Sequence, residues 1–496
     1  MKNITTFNFI LLSLFTLAIT SCNSLIEKEP LDQLIDENFY KSAEDARRAI
    51  SSTYAPIQGT NWYGKSWMMT EIPADNSTTG GNDPDFLTID NFTVNGDNVP
   101  NAEFWAEHYI VIVRANTVLD KIPNIDMDET IKSSILGEAK FLRAFTYFDL
   151  VRMYGGVPII TEIQDFFSDF EVPRATAEQV YDLIIADLKE AIATLPDTRN
   201  SAEAGRATSG AAKALLTKVY LTTKDYAEAM ELAREIIASG RYRLMDTYDE
   251  NWLKETSDNN EESIFQLQYT GCGPQGTGNA LQAFFAPFGQ GITKNSDGWG
   301  SQTATSGQAD GQGTTIADAF EENDSRKYHT IMTPGDFYPM INSEDGGFTY
   351  PTRQISRTGV SIKKYVIGGG PDVCFMSSPQ NVHIIRYADV LLSLAEAACA
   401  TGGGISITPD VLEAFNAVRI RANLEPVTAV TTEMVFQERR VEFAFENQRW
   451  FDLLRAGTTL EVMRLHGKSL EEHNLLFPIP NEELVVNKNL TQNPGY

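Results

Sequence analysis

The stretch ERRVEFAFENQRWFDLLRAG, residues 438–457, concentrates the groups that acid–base chemistry would use. Glu438, Glu442 and Glu446 recur every four residues, so a continuous helix would set all three on one face. The same run also supplies their counter-charges. Arg439 and Arg440 follow Glu438, Arg449 lies three residues after Glu446, and Arg455 three after Asp452. A carboxylate held by a guanidinium keeps its charged form and makes a poor general acid. Val441, Phe443, Phe445, Trp450, Phe451 and Leu454 are interleaved over more than one face, as in a helix packed on several sides. The cluster therefore reads as a charged scaffold, and no catalytic residue is expected in it.

Other chemistries fare no better. Gly271-Cys272-Gly273-Pro274-Gln275-Gly276 matches the dinucleotide fingerprint letter for letter, but Pro274 and Gly278 suit a loop where the fingerprint needs a helix. His108, His329, His383, His466 and His473 contain no pair four apart, and none lies beside a cysteine pair, so no metal site is expected. No Gly-x-Ser-x-Gly elbow occurs. A glycosidase needs only two opposed carboxylates, and 67 acidic residues always permit some pair, so their number decides nothing. No cofactor is implied.

Amphipathic patterns predict helices over 43–57, 103–122, 130–154, 176–195, 208–222, 225–239, 384–400, 409–422 and 432–455. Pro123, Gly155, Gly156, Pro196, Gly240 and Gly402 supply stop signals. In LLTKVYLTTKDYAEAMELAREII, Leu216 and Tyr220 face Ala229, Ala233 and Ile236 at the spacing of a tetratricopeptide unit. One such unit cannot bury its apolar face alone, so 130–154 should pack with 176–195 and 384–400 with 409–422. Between 241 and 383 the texture changes: short β-prone runs, SIFQLQY and IKKYVI, sit among Gly, Ser, Thr and Asn. The fold class that follows is mainly α, a tetratricopeptide-like helical scaffold with an irregular, loop-rich half containing short strands. Its expected parts are an N-terminal helical part, 39–240, a loop-rich insertion, 241–383, and a C-terminal helical part, 384–496. Irregular loops on a rigid frame are where binding surfaces are built.

The N-terminus sets the compartment. Lys2 precedes an apolar run from Phe7 to Ile19, too short to span a bilayer, and Cys22 follows Ile19-Thr20-Ser21 in a pattern resembling a bacterial lipobox. Residues 1–21 are read as a lipoprotein signal peptide, Cys22 as the lipidated residue, and 22–38 as a tether ending near Pro30. The net charge of −27 argues against nucleic acid and against adhesion to anionic lipid heads, which leaves the lipid anchor as the membrane attachment. Cys272, Cys374 and Cys399, odd in number and far apart, suggest no disulfide framework, and Cys399 reads as a buried small hydrophobe.

Several long segments resemble one family in order along the chain: DENFYKSAEDARRAI, RANTVLDKIP, GEAKFLRAFTYFDLVRMYGGVPI, IRYADVLLSLAEA, ERRVEFAFENQRWFDLLR and the end, LLFPIPNEELVVNKNLTQNPGY. They closely resemble the SusD/RagB family, surface lipoproteins that capture nutrients at the outer membrane of Bacteroidota. The resemblance implies a non-enzymatic, glycan-binding lid over a SusC-like TonB-dependent outer-membrane barrel. A RagB-like peptide-binding lid is the alternative.

Sugar recognition needs aromatic faces for the ring and polar groups for the hydroxyls. Trp105, Trp252 and Trp450 lie in helical patterns and read as core; Trp62 and Trp67, with Lys65 between them, and Trp299 lie in polar, glycine-bearing segments and are ligand candidates. The GW at 298–299 resembles the segment where starch-binding members place an aromatic. EIPADNSTTGGNDPDF resembles a ligand-contacting loop in the same members, which makes Asp75, Asn76 and Asn82 candidates. Asp75 has a second reading, as a cap on its own turn. No aromatic follows Asp75 before Phe86, a departure that favours a fructan or branched glycan over starch.

Overall fold

Side-chain caps fix where the helices begin. The computed structural model describes residues 39–496 except 164–170, 273–277, 293–297, 307–312, 371–372 and 375, and the side chains of 64 and 65. Cys22 and the tether 22–38 lie outside the described residues. Helix α1 is Ala43–Tyr54, α2 Tyr63–Thr70, α3 Pro84–Asp90, α4 Val99–Lys121, α5 Glu129–Tyr154, α6 Ala177–Thr194, α7 Ser209–Thr223 and α8 Tyr226–Ala238. Asp128 opens α5 by accepting from Thr130 and Ile131 N–H, and Thr176 opens α6 in a reciprocal capping box with Gln179. Each satisfies amides that the first turn leaves orphaned. Gly155, at φ 72°, stops α5 where a side chain would strain the backbone.

Successive helices pack in turn, α4 on α5, α5 on α6, α6 on α7 and α7 on α8. Ala229 and Ala233 are fully buried where α7 and α8 pack, and their small size lets the two helices approach closely. Beyond the short helix α9, Leu281–Phe285, the row resumes with α10, Tyr387–Thr401, which packs on α8, and α11, Pro409–Arg421, which packs on α10. Both pairings expected from the sequence are present. The architecture is the helical, tetratricopeptide-like scaffold anticipated above, with a few short strands: most lie in the irregular part, but Ser77–Thr79 falls among the N-terminal helices, and Ile405–Ser406 pairs with Val430–Thr431 among the C-terminal ones. Among these, β1 is Ser77–Thr79, β2 Ser263–Leu267, β3 Gln302–Ala304 and β4 Val382–Arg386. β1 pairs antiparallel with β3, and β2 with β4.

Two expectations need correction. The helix predicted over 432–455 is two helices, α12, Thr432–Glu442, and α13, Arg449–Ala456. Phe445 and Asn447 between them take left-handed φ values of 66° and 59°, and the Asn447 N–H donates to Glu71 Oε1 at 2.7 Å. Glu446 and Arg449 therefore diverge: Glu446 accepts from Lys364 and Arg386, while Arg449 pairs with Asp75. The Asp452–Arg455 pair does form, at 2.8 Å. Second, Cys272 and Cys374 are joined in a disulfide across a sequence separation of 102, which the spacing alone did not suggest. Cys399 is buried, as expected.

Candidate functional site

The carboxylates that opened the sequence reading converge on buried cations. Arg386, at the end of β4, donates to Glu262 at 2.6 Å, to Glu442 at 2.7 Å and to Glu446 at 2.8 and 2.9 Å. Arg326 bonds Glu438 at 2.6 Å and Glu442 at 3.0 Å, and Arg421 also reaches Glu442. Burial alone would raise the Glu442 carboxyl; Arg421, Arg386 and Arg326 outweigh it and hold the group well below the ordinary carboxylate range. All three glutamates are buried. None of them can meet a solute, and the network's role is to lock β4 and the loops onto α12.

The open chemistry lies at the end of the β1–β3 ladder. Thr79 pairs with Gln302, and the Gly80 N–H donates to Ser301 O at 2.8 Å, so the chain leaves β1 beside the residues that enter β3. Asn82 and Trp299 thereby line one cleft of about 650 Å³, together with Leu87, Phe288, Ile355 and Arg357. A Cβ on Gly80 would stand 1.9 Å from Gly300 O, which makes glycine a requirement of this crossing. Residues 299–301 are laced to α9: Trp299 N–H donates to Ala283 O at 2.6 Å, Ser301 N–H to Phe284 O at 2.8 Å and Gly300 N–H to Ala286 O at 3.0 Å. Trp299 is 42% exposed, with Phe284 edge-on to it at 5.3 Å, and Phe288 is 68% exposed. Two aromatic groups, an amide and a guanidinium thus border one cleft, the mixture that binds a ring with one apolar face and several hydroxyls.

The remaining candidates are placed differently. Trp67 is buried and packs on Phe284 at 5.0 Å, so it stands one ring behind Trp299 as a buttress. Trp62 is buried and stacked on His108 at 3.5 Å, far from solvent. The side chain of Lys65 lies outside the described residues. Asp75 is neither a free ligand contact nor a turn cap. Arg449 donates Nε and Nη2 to its two oxygens at 2.6 and 2.8 Å, and Arg440 lies 3.0 Å from Oδ2. Burial would raise this carboxyl, and Arg440 and Arg449 hold it well below the usual range. Asn76 is buried too, with Oδ1 accepting from Arg440 Nε at 2.8 Å and its carbonyl accepting from Thr305 N–H at 2.9 Å. These two residues fasten the start of β1 to α12 and α13.

Phe288 and Arg357 were missed by the sequence reading. Phe288 sits in FAPFGQG, a glycine-bearing segment of the kind used to select tryptophans, and applying that criterion to phenylalanine would have found it. Arg357 lies in PTRQISRTG, a segment with two arginines and no acid, a charge pattern that the search for aromatic and amide contacts passed over. A larger cavity, about 780 Å³, lies near Tyr328, Tyr338, Met340 and Cys374. There the Tyr328 and Tyr338 rings stack on each other at 4.8 Å, the Tyr328 hydroxyl donates to Phe337 O, and Tyr338 is buried. The smaller cleft is the one with two exposed aromatic side chains, Trp299 and Phe288, on its lining.

Comparisons with known proteins agree with this architecture. Residues 246–496 match the family model described as the SusD family, and 27–221 match one described as "Starch-binding associating with outer membrane". A SusD-like protein of Bacteroides ovatus is 30% identical over 464 residues, covering 88% of this chain and 80% of that protein. The starch-binding protein SusD of Bacteroides thetaiotaomicron is 27% identical over 435 residues, covering 78% of this chain and 76% of that protein. A solved laminarin-binding SusD-like protein superposes with a TM-score of 0.77 at 29% identity, over 92% of this chain and all of that one. The helical scaffold, the irregular strand-bearing half and these matches give one conclusion: the chain belongs to the SusD family.

Proposed function

We propose that this protein binds a glycan at the cell surface, in the cleft between Trp299, Phe288, Asn82 and Arg357. The observation that carries the reading is the pair of solvent-facing aromatic side chains on the rim of a polar cleft, in a chain whose relatives include a laminarin-binding and a starch-binding protein. Trp299 stacks on a sugar ring while Asn82 and Arg357 meet hydroxyls. Asp75 and Asn76 serve from behind, through the β1 anchor. Phe288 gives the site more aromatic surface than the Asp75–Phe86 segment alone implied, which removes the main ground for ranking a fructan or branched glycan above starch.

Cys22 carries the lipid anchor, 22–38 forms the tether, and the folded body acts as the lid of a SusC-like TonB-dependent barrel. The match to a description naming association with the outer membrane supports that location. Capture is separate from transport, whose energy must enter through the barrel. The test is titration calorimetry of the soluble body against laminarin, starch, levan and mixed polysaccharides. Trp299→Ala should keep its fold and lose about tenfold to a hundredfold in affinity for the glycan that binds, the value of one stacked aromatic. Unchanged affinity in a folded variant refutes this cleft as the site.

A further inference from the structure

We infer that the cleft selects a glycan bearing an anionic substituent, a uronate carboxylate or a sulfate ester, and that Arg357 is the residue that reads it. This rests on the glycan-binding reading of the cleft above. Arg357 is the one ionisable side chain among the described residues that line it. Its side chain is 52% exposed. Nη1 is steadied by Thr79 O at 3.3 Å and stands 3.9 Å from Asp90 Oδ2. Asp90 is already answered by Lys468 at 2.9 Å and by the Thr78 hydroxyl at 2.8 Å, so it is a weak counter-ion for Arg357. No hydrogen bond within the described residues engages Nε or Nη2. One corner of the guanidinium is thus anchored to the end of β1, and two donors of its planar fork remain available to a solute, the geometry that meets a carboxylate or sulfate bidentately.

The surrounding sequence points the same way. The loop PTRQISRTG, 351–359, carries Arg353 and Arg357 and no acid, within a chain of net charge −27. A local excess of positive charge in so acidic a chain marks this loop as suited to an anion. Neutral hydroxyls would accept from Arg357 as well, but they would not use its charge. The anionic substituent does, and a charge-assisted pair is about twice as strong as a neutral one.

The experiment titrates the soluble body with oligogalacturonides and their methyl esters, with sulfated carrageenan oligosaccharides and their desulfated counterparts, with laminari-oligosaccharides and with oligoglutamate. Esterification and desulfation erase the charge and leave the rings, and the two acidic series separate carboxylate from sulfate. The expected result is that one acidic series binds and that its neutralised counterpart binds at least about tenfold more weakly. Arg357→Gln should bring the acidic series down to the level of the neutral one, while Trp299→Ala weakens both. A neutral series that binds as tightly as the acidic ones, with Arg357→Gln changing affinity by less than about threefold, overturns the inference. If that binding still depends on Trp299, the glycan-binding reading survives. Failure of every acidic oligosaccharide to bind overturns the inference as well. Binding of oligoglutamate alone overturns both readings in favour of an acidic peptide.

Discussion

The network around Arg386 and the cleft beside Trp299 each hold a guanidinium, and they treat it in opposite ways. Arg386 is 1% exposed and reaches Glu262, Glu442 and Glu446, so every part of its fork is spent inside the protein. Arg357 is half exposed and anchored at one nitrogen. The first arrangement comes from a region dense in charge, the second from one with few charged residues. What separates a structural charge from a recognising one is whether its partners are already present. Density of acids and bases along the chain is a poor guide to chemistry, because a fold that buries charges must bring their partners along.

Breaking the network should give the largest effect. Arg386→Met leaves Glu262, Glu442 and Glu446 with one cation fewer in a buried site, and losing one partner of a buried pair costs about 3–5 kcal/mol. Chemical denaturation should show a loss of that order or a chain that fails to fold. Variants that do fold should keep their ligand affinity, because the network does not touch the cleft. A folded Arg386→Met protein with lost affinity and unchanged stability would merge the two regions and undo the contrast.

A second break uses the acid that the network leaves without a cation. Glu71 is buried; its Oε1 accepts from Asn447 N–H at 2.7 Å, and its Oε2 has no hydrogen-bond partner among the described residues. Burial pushes its pKa from 4.5 up to about 8, with the Asn447 bond and Lys364 opposing. The folded state thus keeps a proton that the unfolded chain has already released. Stability is lost as pH rises from about 4.5 to about 8, the reverse of a salt-bridged carboxylate such as Glu442. Glu71→Gln removes the titration and keeps an acceptor for Asn447. Its stability should exceed the wild type's by on the order of 4 kcal/mol at pH 8 and converge with it below about pH 4.5. Parallel melting temperatures across that range would falsify the account.

Local sequence carried the frame further than it carried the site. Gly155 was legible as a helix stop; Thr176 with Gln179, and Asp128, also mark helix ends through bonds within a few residues, though neither was singled out from the sequence. The break between α12 and α13 was not legible, because the left-handed Asn447 is held through its N–H by a partner, Glu71, that is remote in sequence. The Cys272–Cys374 bond was hidden for the same reason. In the site, Trp67 and Trp299 come from segments of similar texture. Phe284 decides between them: Trp67 packs behind it, and Trp299 stands edge-on in front, open to the cleft. Composition could nominate both residues, and only long-range packing could assign one to the wall and the other to the rim. Asp75 shows the same limit, since its charge is answered by Arg440 and Arg449 from the far end of the chain.

The smallest predicted effect tests the frame of the cleft itself. Gly80 carries no functional group, yet its backbone crosses Gly300 so closely that an added Cβ would stand 1.9 Å from Gly300 O and 3.1 Å from Thr303 Cγ2. The first contact is backbone, so no side-chain rotation relieves it, and β1 and β3 must separate at the end that holds Asn82 and Trp299. Gly80→Ala should cost about 1–3 kcal/mol, as overpacking does, less than either buried-charge change above. Its signature should be a split between stability and binding. The helical scaffold keeps its unfolding midpoint within a few degrees, while glycan affinity falls about as far as in Trp299→Ala because both walls of the cleft shift. A control, Gly81→Ala, also lines the cleft but its added Cβ meets no protein atom within 4 Å, so it should leave stability unchanged and lower affinity less than Gly80→Ala. Equal affinity in the two variants would mean that the β1–β3 crossing does not set the cleft, and the recognising region would then have to lie elsewhere on the surface.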